Sequence, residues 1–333
     1  MRILNDIHIG AVRTGGTTPQ SSLALRNWIL QEFEVLVSST MSQDLCILGD
    51  LFDSHTVSSV DLSATFRILN QWCKDNPDYS LLLVRGNHDI NSDSSKISSF
   101  DALGNIMQAV HSNVAVVNEP ILHRHGIYII PHLANQTLLD EALTQVPDVR
   151  YLLVHANYDN HFAKESDHSL NISKEQAEAV PAEYIIFAHE HNSRIELAGK
   201  VVIPGNQIPT SISDCLKKSK NYTSLYIGQA PELHNVWYSD YYEEIDWKET
   251  RPSNAKFIRI IGEATAEQAS DVANAVAKYR KTSQAFVVGN AVKMASQTKE
   301  ILPSLESVQG FDVMKTLKEL LTEPELKIIE DIL

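Results

Sequence analysis

The first 210 residues predict an α/β fold built around a largely central sheet. Short runs rich in valine, isoleucine and leucine alternate there with stretches of helical, amphipathic pattern. Glycine, proline, asparagine or aspartate bounds each apolar run, as is typical of strands. The predicted strands are residues 2–5, 44–49, 80–86, 114–117, 126–131, 150–155, 183–188 and 200–205, and helices are predicted between them, for example at 22–39 and 60–75.

A second pattern follows this alternation and indicates a separate, smaller unit. Residues 224–228 and 235–239 have the pattern of late strands or a hairpin, and residues 240–254 are polar with a proline, as at a domain boundary. A strand, a helix and another strand then form a compact β-α-β arrangement. We therefore expect a main domain at residues 1–245 and a small α+β cap domain at residues 246–300.

The C-terminal residues predict a pair of amphipathic helices. Apolar side chains recur at helical spacing in residues 311–321 and again in residues 326–332. Residues 305–333 therefore form a third predicted segment, a helical pair. Two roles stay open for this segment: packing against its own domain, or binding a partner protein.

The bulk composition limits the class of protein. The 333 residues exceed what one hydrophobic core usually covers, and 43% hydrophobic with 21% charged residues is ordinary for a globular protein. No apolar run is long enough to span a membrane, and the N-terminus predicts a first strand, not a signal peptide. Cys46, Cys73 and Cys215 are an odd set without a CxxC motif, which indicates reduced packing thiols in a cytoplasmic protein.

Side chains of metal-binding type follow five of the predicted strands. Side chains two apart on a strand share a face, so Asp6 can act with His8, and His189 with His191, while Glu190 points away. Ligands of open α/β sheets bind beyond the carboxyl ends of the strands, so these groups should meet at one edge. The candidate ligands are Asp6, His8, Asp50, Asn87, His155, His189 and His191.

The ligand types indicate the ion class and the reaction. Carboxylate, imidazole and amide oxygen without thiolate suit Mn, Fe, Zn or Mg. Seven ligands are too many for one ion, whereas two ions ~3.5–4 Å apart that share a carboxylate accommodate them. Such a pair lowers the pKa of a bridging water and holds the oxygens of a phosphate, which predicts in-line hydrolysis of a phosphoester.

Two further residues are predicted to take part in the reaction. His88 adjoins Asn87 without being a ligand, so it could stabilise developing charge or protonate the leaving group. Asp53 follows Asp50 by three residues and could orient His88 through its carboxylate, or serve only in a turn or a helix cap. Taken singly, these motifs are also common turn signals, and it is their ordered combination that indicates a site.

The net charge affects whether the chain can bind nucleic acid. A formal charge of −14 taken alone argues against nucleic acid, because phosphate binding favours a basic surface. However, several of the acids lie in the predicted metal site, where cations offset them, and a local basic patch can coexist with a negative total. Lys217, Lys218 and Lys220 are the densest basic cluster, although such a cluster is also typical of a solvated loop.

The ordered motifs DxH, GDxxD, GNHD, a lone histidine and HxH, which span residues 6–191, resemble those of the calcineurin-like metallophosphoesterase superfamily. This resemblance implies a four-layer α/β/β/α sandwich with a dinuclear metal site, and it implies that His88 is the catalytic histidine. By the same resemblance, the first metal would be held by Asp6, His8, Asp50 and His191, and the second by Asp50, Asn87, His155 and His189.

Within the superfamily, the chain is most similar to the SbcD-like nucleases, which include small subunits of phage recombination endonucleases. The opening MRILNDIHIG, GDLFD at 49–53, IIPH at 129–132 and the order of cap and helical pair carry this similarity. It implies a Mn²⁺-dependent DNA exonuclease or endonuclease of recombination and repair, with a DNA-proximal cap, in the host cytoplasm if phage-encoded. It also implies a homodimer and an SMC-like ABC ATPase partner bound by the C-terminal helices.

The chain departs from this group at two positions, and other functions share its motifs. Asp53 stands where many of these nucleases have a histidine, and His132 where the group often has a tryptophan. Protein Ser/Thr phosphatases fit less well, because their GDxxDRG and GNHE differ from GDLFDS and GNHD here. A small-molecule phosphodiesterase or nucleotidase, and a DNA-end-binding scaffold with weak catalysis, remain alternatives.

Overall fold

The computed structural model describes residues 1–12, 18–91, 93, 96–160, 169–217, 219–236, 240–249 and 251–295. The predicted helical pair at 305–333 and the end of the predicted cap, 296–300, lie outside this described part of the chain. Within the described part, two six-stranded sheets and one three-stranded sheet contain most of the strands.

The first large sheet lies against three helices. Its strands are β1 (Arg2–Leu4), β2 (Leu45–Leu48), β3 (Leu81–Val84), β4 (Val114–Val117), β13 (Asn221–Ser224) and β14 (Glu232–Asn235). Their order across the sheet is β14-β13-β1-β2-β3-β4, with β1 to β4 parallel and β13 antiparallel to β1. The connecting helices are α1 (Pro19–Ser38), α2 (Ser59–Asp75) and α3 (Ser99–Val110).

The second large sheet is also mostly parallel. Its strands are β5 (Ile121–His123), β6 (Ile127–Ile130), β7 (Val149–His155), β10 (Ala182–Ala188), β11 (Arg194–Glu196) and β12 (Val201–Ile203). The order is β11-β12-β10-β7-β6-β5, in which only the edge strands β5 and β11 are antiparallel to their neighbours. Outside the sheet lie helices α4 (Gln136–Thr144) and α5 (Lys174–Ala179) and the short pair β8 (Asn157–Tyr158) and β9 (Asn171–Ile172).

Three apolar clusters separate the layers. Side chains alternate along each strand, so Cys46 and Leu48 of β2 face the second sheet, whereas Leu45 and Ile47 face the helices. Helices α1 to α3 cover the outer face of the first sheet, and α4 and α5 cover that of the second. The four-layer α/β/β/α sandwich that the resemblance implied is thereby confirmed.

Capping residues and buried apolar faces explain why the outer helices form where they do. Thr18, Ser58 and Ser98 precede α1, α2 and α3, and each hydroxyl accepts a hydrogen bond from a backbone N–H three residues later. Helix α1 buries Ile29 and Phe33 in the apolar cluster that it shares with the first sheet. Because burying such a side chain stabilises by ~1.5–3 kcal/mol, these faces hold the helices on the sheet.

A small sheet packs against the outside of α1. It consists of β15 (Tyr242–Asp246), β16 (Phe257–Ile261) and β18 (Val287–Asn290), all parallel, with α7 (Ala269–Thr282) before β18 and a further pair formed by β17 (Glu263–Ala264) and β19 (Lys293–Met294). Trp28 of α1 contacts Tyr241, Phe257 and Phe286, with ring centroids 5.1–6.1 Å apart. The first strand of this sheet, β15, begins at Tyr242, four residues before the start of the predicted cap domain.

The late hairpin differs from its prediction. Its strands β13 and β14 form, but residues 225–231 connect them, so the apolar run predicted as a strand at 224–228 lies mostly in the connection. The backbone N–H of Gln229 donates to the carbonyl of Tyr226, and Gly228 between them has a φ of +79°. This turn and the pairing of Ser224 with Arg2 of β1 place the strand earlier than its hydrophobicity suggests.

Two whole-chain expectations can be compared with the described residues. None of the described helices is long and apolar enough to cross a membrane. Cys46, Cys73 and Cys215 are all buried, and burial raises the pKa of each thiol. Buried thiols with raised pKa values are unreactive, so these cysteines pack as small apolar side chains.

Candidate metal centre

The structure brings all seven predicted ligand residues to one edge of the sandwich. Each lies at or just beyond the carboxyl end of a parallel strand, so strand direction alone collects them. The strands and their residues are β1 with Asp6 and His8, β2 with Asp50, β3 with Asn87, β7 with His155, and β10 with His189 and His191.

The first ligand cluster consists of Asp6, His8 and His191, whose donor atoms all lie within 4.8 Å of one another. The Nε2 atoms of His8 and His191 face each other at 3.1 Å. Asp6 is fully buried and accepts hydrogen bonds from the backbone N–H of His189 and the side chain of Asn5. Two imidazole nitrogens and a carboxylate that converge in this way are a donor set that fits a divalent cation.

The second ligand cluster adjoins the first. Donor atoms of Asp50, His155 and His189 lie within 4.8 Å of one another. The side-chain oxygen of Asn87 stands 2.9 Å from both His155 Nε2 and His189 Nδ1, and Asp50 Oδ2 stands 3.4 Å from His155 Nε2. These four side chains therefore direct oxygen and nitrogen atoms at a common point.

Asp50 lies between the two clusters. In addition to its contact with His155, the carboxylate of Asp50 lies within 4.8 Å of nitrogen atoms of His8 and His88. It is 1% exposed, so its charge must be compensated by neighbouring cations rather than by solvent. A shared, buried carboxylate between two sets of imidazoles is the arrangement that two divalent cations require, and the residues present fit such a pair.

The backbone explains how the ligands converge, and it corrects one step of the sequence argument. Asp6, His8, Asp50 and His189 have positive φ values of 51°, 53°, 48° and 90°. These residues therefore do not lie on a shared face of an extended strand; β1 ends at Leu4 and the ligands follow in left-handed turns. For the same reason, His189 and His191 enter different clusters instead of pointing together.

His88 and Asp53 contact each other differently from the prediction. His88 is exposed, and its Nδ1 lies 2.7 Å from the backbone carbonyl of Asp53, not from the carboxylate. The Asp53 carboxylate instead stands 3.5 Å from Nδ1 of His8. Since a carbonyl only accepts, His88 donates from Nδ1 and presents Nε2. Asp53 thus orients His88 through its main chain.

Burial and charge set the protonation of the centre. Burial lowers the pKa of His8 well below its usual range, so its imidazole is neutral, as a metal ligand must be. Burial alone would raise the pKa of Asp50, but the charge and hydrogen bond of His155 hold it well below its usual range. For His155, burial alone would lower the pKa, but the charge of Asp50 outweighs the effect of burial and raises the pKa to about 9.

Asp89 and Gly86 shape the turns that carry Asp50 and Asn87. Asp89 is fully buried, and its two oxygens accept hydrogen bonds from the backbone N–H groups of Phe52 and Gly86. Burial, together with the charge of Asp50, raises the pKa of Asp89 to about 7. A Cβ at Gly86 would stand 2.2 Å from the backbone nitrogen of Asp50, so only glycine allows these two turns to approach.

Sequence reasoning missed a group of buried polar residues around the first cluster. Gln207 exchanges hydrogen bonds with Asn5, which holds Asp6, and Asp214 stands 2.9 Å from Nδ1 of His191. Asn206 and Gln207 directly follow the predicted strand at 200–205, so the strand-end rule that identified the ligands could have found them. For Asp214, 23 residues from His191, the sequence gives no such signal.

The basic cluster expected at Lys217, Lys218 and Lys220 is not a surface patch. Lys220 is fully buried, and its Nζ donates to the backbone carbonyl of His191 at 3.3 Å and to Asn206 at 2.6 Å. Lys217 is exposed, and Lys218 lies outside the described residues. Lys220 therefore holds the loop that carries His191, and its buried ammonium group cannot contact the phosphates of a nucleic acid.

A family model matches more than half of the chain, and several solved structures are similar to it. The family model of the calcineurin-like phosphoesterases matches residues 2–193, whereas no curated protein matches the chain. Among solved structures, TT1561 of Thermus thermophilus is similar at 17% identity and a TM-score of 0.42, over 71% of this chain and 97% of that one. The nuclease MPE of Pseudomonas putida has 20% identity and a TM-score of 0.24 over 48% and 64%. A single mutant of Vps29 from Entamoeba histolytica has 12% identity and a TM-score of 0.30 over 72% and 98%.

Each of these TM-scores is below 0.5, so the assignment rests on the family model, which covers more than half of the chain. The matched residues include every candidate ligand, from Asp6 to His191. The chain therefore belongs to the calcineurin-like phosphoesterase family and is a metal-dependent phosphoesterase.

Proposed function

We propose that the chain hydrolyses phosphodiester bonds of DNA with two divalent cations, of which Mn²⁺ is our first choice and Fe, Zn and Mg are alternatives. The observation that carries the proposal is a pair of adjacent ligand clusters with the buried carboxylate of Asp50 between them, near His8 on one side and His155 and His189 on the other, and with His88 exposed beside them. One ion would be held by Asp6, His8, Asp50 and His191, and the other by Asp50, Asn87, His155 and His189.

The chain's own residues supply orientation and a proton at this centre. When bound, the cations supply Lewis acidity and lower the pKa of a water molecule. His88 is held by its backbone N–H, which donates to Asp50 at 2.9 Å, and by Nδ1, which donates to the carbonyl of Asp53. Nε2 therefore faces the substrate, where it stabilises charge on the phosphate or delivers a proton to the leaving oxygen.

Two features support a polymeric substrate. A pocket of about 320 Å³ opens beside Asp53, where it is lined by the hydroxyl-bearing Ser54, Thr56 and Ser58, and this leaves room for more than the scissile phosphate. The motif sequences and the order of cap and helical pair resemble the SbcD-like nucleases. On this proposal, the small sheet lies near the DNA and the chain acts in recombination and repair.

The test compares substrates under a Mn²⁺ titration. We expect Mn²⁺-dependent cleavage of linear or nicked DNA, with a higher kcat/KM than for cyclic nucleotides or bis(p-nitrophenyl) phosphate. His88→Ala, with its metal ligands intact, is the matched inactive control. Activity confined to small esters would refute the DNA substrate while leaving the metal centre in place.

A small-molecule phosphodiesterase or nucleotidase is the second candidate, and the net charge of −14 favours it, because an acidic protein repels a polyanion. A scaffold that binds DNA ends with weak catalysis would instead retain biological function in His88→Ala. The substrate comparison distinguishes a small-molecule phosphodiesterase from a nuclease. Complementation with His88→Ala distinguishes a DNA-end-binding scaffold from a nuclease.

The partner belongs to the same proposal. We propose that residues 305–333, which lie outside the described residues, bind an SMC-like ABC ATPase, and that the chain forms a homodimer in the cytoplasm. The amphipathic pattern of residues 311–321 and 326–332 supports a protein contact by this segment. Deletion of 305–333 should abolish co-purification with the ATPase but keep Mn²⁺ binding; a truncated chain that still co-purifies would contradict this role.

A further inference from the structure

The short helix α6 (Ile212–Cys215) carries a buried carboxylate that contacts the metal centre. Asp214 is 5% exposed, and its Oδ1 stands 2.9 Å from Nδ1 of the candidate ligand His191. Its Oδ2 accepts hydrogen bonds from the backbone N–H groups of Thr210 and Ser211, at 2.8 and 3.1 Å, and the Ser211 hydroxyl accepts one from the N–H of Asp214. One carboxylate thus caps α6 and faces the imidazole of His191, so a shift of the helix shifts the group behind this ligand.

Helix α6 also packs against β16 of the small sheet, whose other strands are β15 and β18. Cys215 of the helix is fully buried in the apolar cluster that contains Phe257 of β16 and Val287 of β18. An added Cβ at Gly289, on the same face of β18 as Val287, would stand 2.5 Å from Cδ1 of Ile212. The small sheet therefore lies directly against α6.

The glycine at position 289 is explained by this close approach and not by its backbone conformation. Gly289 lies outside the left-handed region that glycine favours, so the strand itself would accept alanine. Glycine weakens a strand because it has no side chain to pack, and it often marks a place where another part of the protein comes close. Here the side chain of Ile212 fills the space that a Cβ of residue 289 would need.

These contacts form a continuous path from the small sheet to the first ligand cluster. The path runs from Gly289 to Ile212, along α6 to Asp214, and from Asp214 to His191. Close-packed interiors have little free space, so a displacement at one end of such a path is passed on to the other end. The small sheet and a bound cation would both restrict the same helix, and the one that binds second has less freedom left to remove.

We propose that docking of the small sheet and metal binding at the first ligand cluster are coupled through α6, with Asp214 as the positioning residue between them. This inference rests on the metal centre of the proposed function, but not on the DNA substrate. Because coupling is reciprocal, an ion at the first cluster stabilises the docked small sheet, and a molecule that displaces the small sheet weakens the binding of that ion. The small sheet thereby becomes a control element for the metal centre.

Gly289→Ala tests the path from the end that is remote from the metal. The added methyl group presses on Ile212, while the strand backbone accepts alanine without strain. In a Mn²⁺ titration of the full chain, followed by the electron paramagnetic resonance signal of free Mn²⁺, we expect the Kd of one bound ion to rise about 5- to 20-fold. Ile212→Val removes Cδ1, the atom that the new methyl group meets, so the double variant should regain the affinity. An unchanged Kd in Gly289→Ala, or a loss that Ile212→Val does not restore, would overturn the coupling.

Asp214→Asn tests the end of the path at the metal centre, with almost no change in side-chain volume. The N–H groups of Thr210 and Ser211 require an acceptor, so the amide oxygen turns to them and the NH₂ group turns to His191. The path is then interrupted, and Gly289→Ala should have no further effect on Mn²⁺ binding in this background. An equal further loss would contradict the role of Asp214. Failure of the unmodified chain to bind two ions would instead refute the metal centre itself.

Hydrogen exchange of the unmodified chain measures the reciprocal effect and covers the case in which Gly289→Ala does not fold. With saturating Mn²⁺, we expect the backbone amides of β16 and β18 to exchange about 5-fold more slowly than with a chelator. In Asp214→Asn the slowing should be smaller, because the helix no longer links the ion to the small sheet. Equal exchange of these strands with and without Mn²⁺ in the unmodified chain would overturn the inference, as would slowing of the same size in Asp214→Asn.

Discussion

Gly49 lies directly beneath the imidazole of His155, and the substitution Gly49→Ala tests how closely the fold and the metal centre depend on each other. Gly49 has a φ of +77°, and an added Cβ would stand 2.0 Å from Nδ1 of His155 and 2.7 Å from two of its ring carbons. Carbon and nitrogen atoms in contact lie ~3.5 Å apart, so the ring would have to move by more than about 1 Å. Because His155 is fully buried, no space exists for that movement without displacing its neighbours.

The expected loss of stability in Gly49→Ala has two parts, and a comparison with Gly228→Ala separates them. Alanine in the left-handed region costs ~1–2 kcal/mol for the backbone alone. Overpacking at a buried site costs a further ~1–3 kcal/mol, so Gly49→Ala should lower the free energy of unfolding by ~2–5 kcal/mol. Gly228 has a φ of +79° with no atom within 4 Å of its added Cβ, so Gly228→Ala carries the backbone cost without the contact.

Urea unfolding in the presence of a chelator measures both variants against the unmodified chain, and Mn²⁺ titration then counts the bound ions. We expect Gly49→Ala to be less stable than Gly228→Ala by ~1–3 kcal/mol and to lose the site of Asn87, His155 and His189. Equal stability of the two variants, with two ions bound in each, would show that the packing of Gly49 against His155 has no effect on the centre.

Three further predictions concern catalysis, pH and metal removal. His88→Ala should lower kcat by about 10²–10⁴-fold without changing the number of bound Mn²⁺ ions, and a loss of metal would contradict a purely catalytic role. In the metal-free chain, the pKa of His155 is raised to about 9 by Asp50, against the effect of burial. Its contribution to stability is therefore complete below pH ~6.5 and is lost as the pH rises through 9. Urea midpoints measured with a chelator should fall over that window, and His155→Gln should flatten the change; a fall of the same size in His155→Gln would assign it to other groups. Mn²⁺ at about 100 times its Kd should raise the free energy of unfolding by about 2.7 kcal/mol for each site, and unaltered urea midpoints after chelation would contradict binding.

The sequence was sufficient to predict the fold because the central strands of the two large sheets are short, largely apolar runs. Every strand predicted up to residue 205 is present, and five of the eight are one to three residues shorter than expected. In the two large sheets, the strands β5 and β11 were missed because they are edge strands of only three residues each, too short to show a strand pattern. The strand β15 was missed because it lies in the polar run 240–254, which was interpreted as a domain boundary. The start of β13 was misplaced because register there is set by pairing with β1, a long-range contact that local hydrophobicity does not report.

The candidate ligands could be predicted from the sequence because they follow strands, whereas the groups that contact them from behind could not. Asp214, in the short helix Ile212–Cys215, contacts His191, and Ser169 contacts His189. Both come from other parts of the chain, so no spacing in the sequence relates them to the histidines. The contact of His88 with the main chain of Asp53 could not be predicted either, because every residue has a backbone carbonyl and the sequence does not show which one is used. Motif order thus predicts which atoms can bind a metal, but not how strongly.

The positive φ angles at Asp6, His8, Asp50 and His189 have a consequence for metal exchange. At these residues the main chain already directs the side chains towards the centre. The side chains therefore lose little conformational entropy when an ion binds. This preorganisation lowers the entropic cost of binding for every divalent cation alike, so it does not by itself select one metal. Selection among Mn, Fe and Zn then depends on the ligand types and on the supply of each metal in the cell.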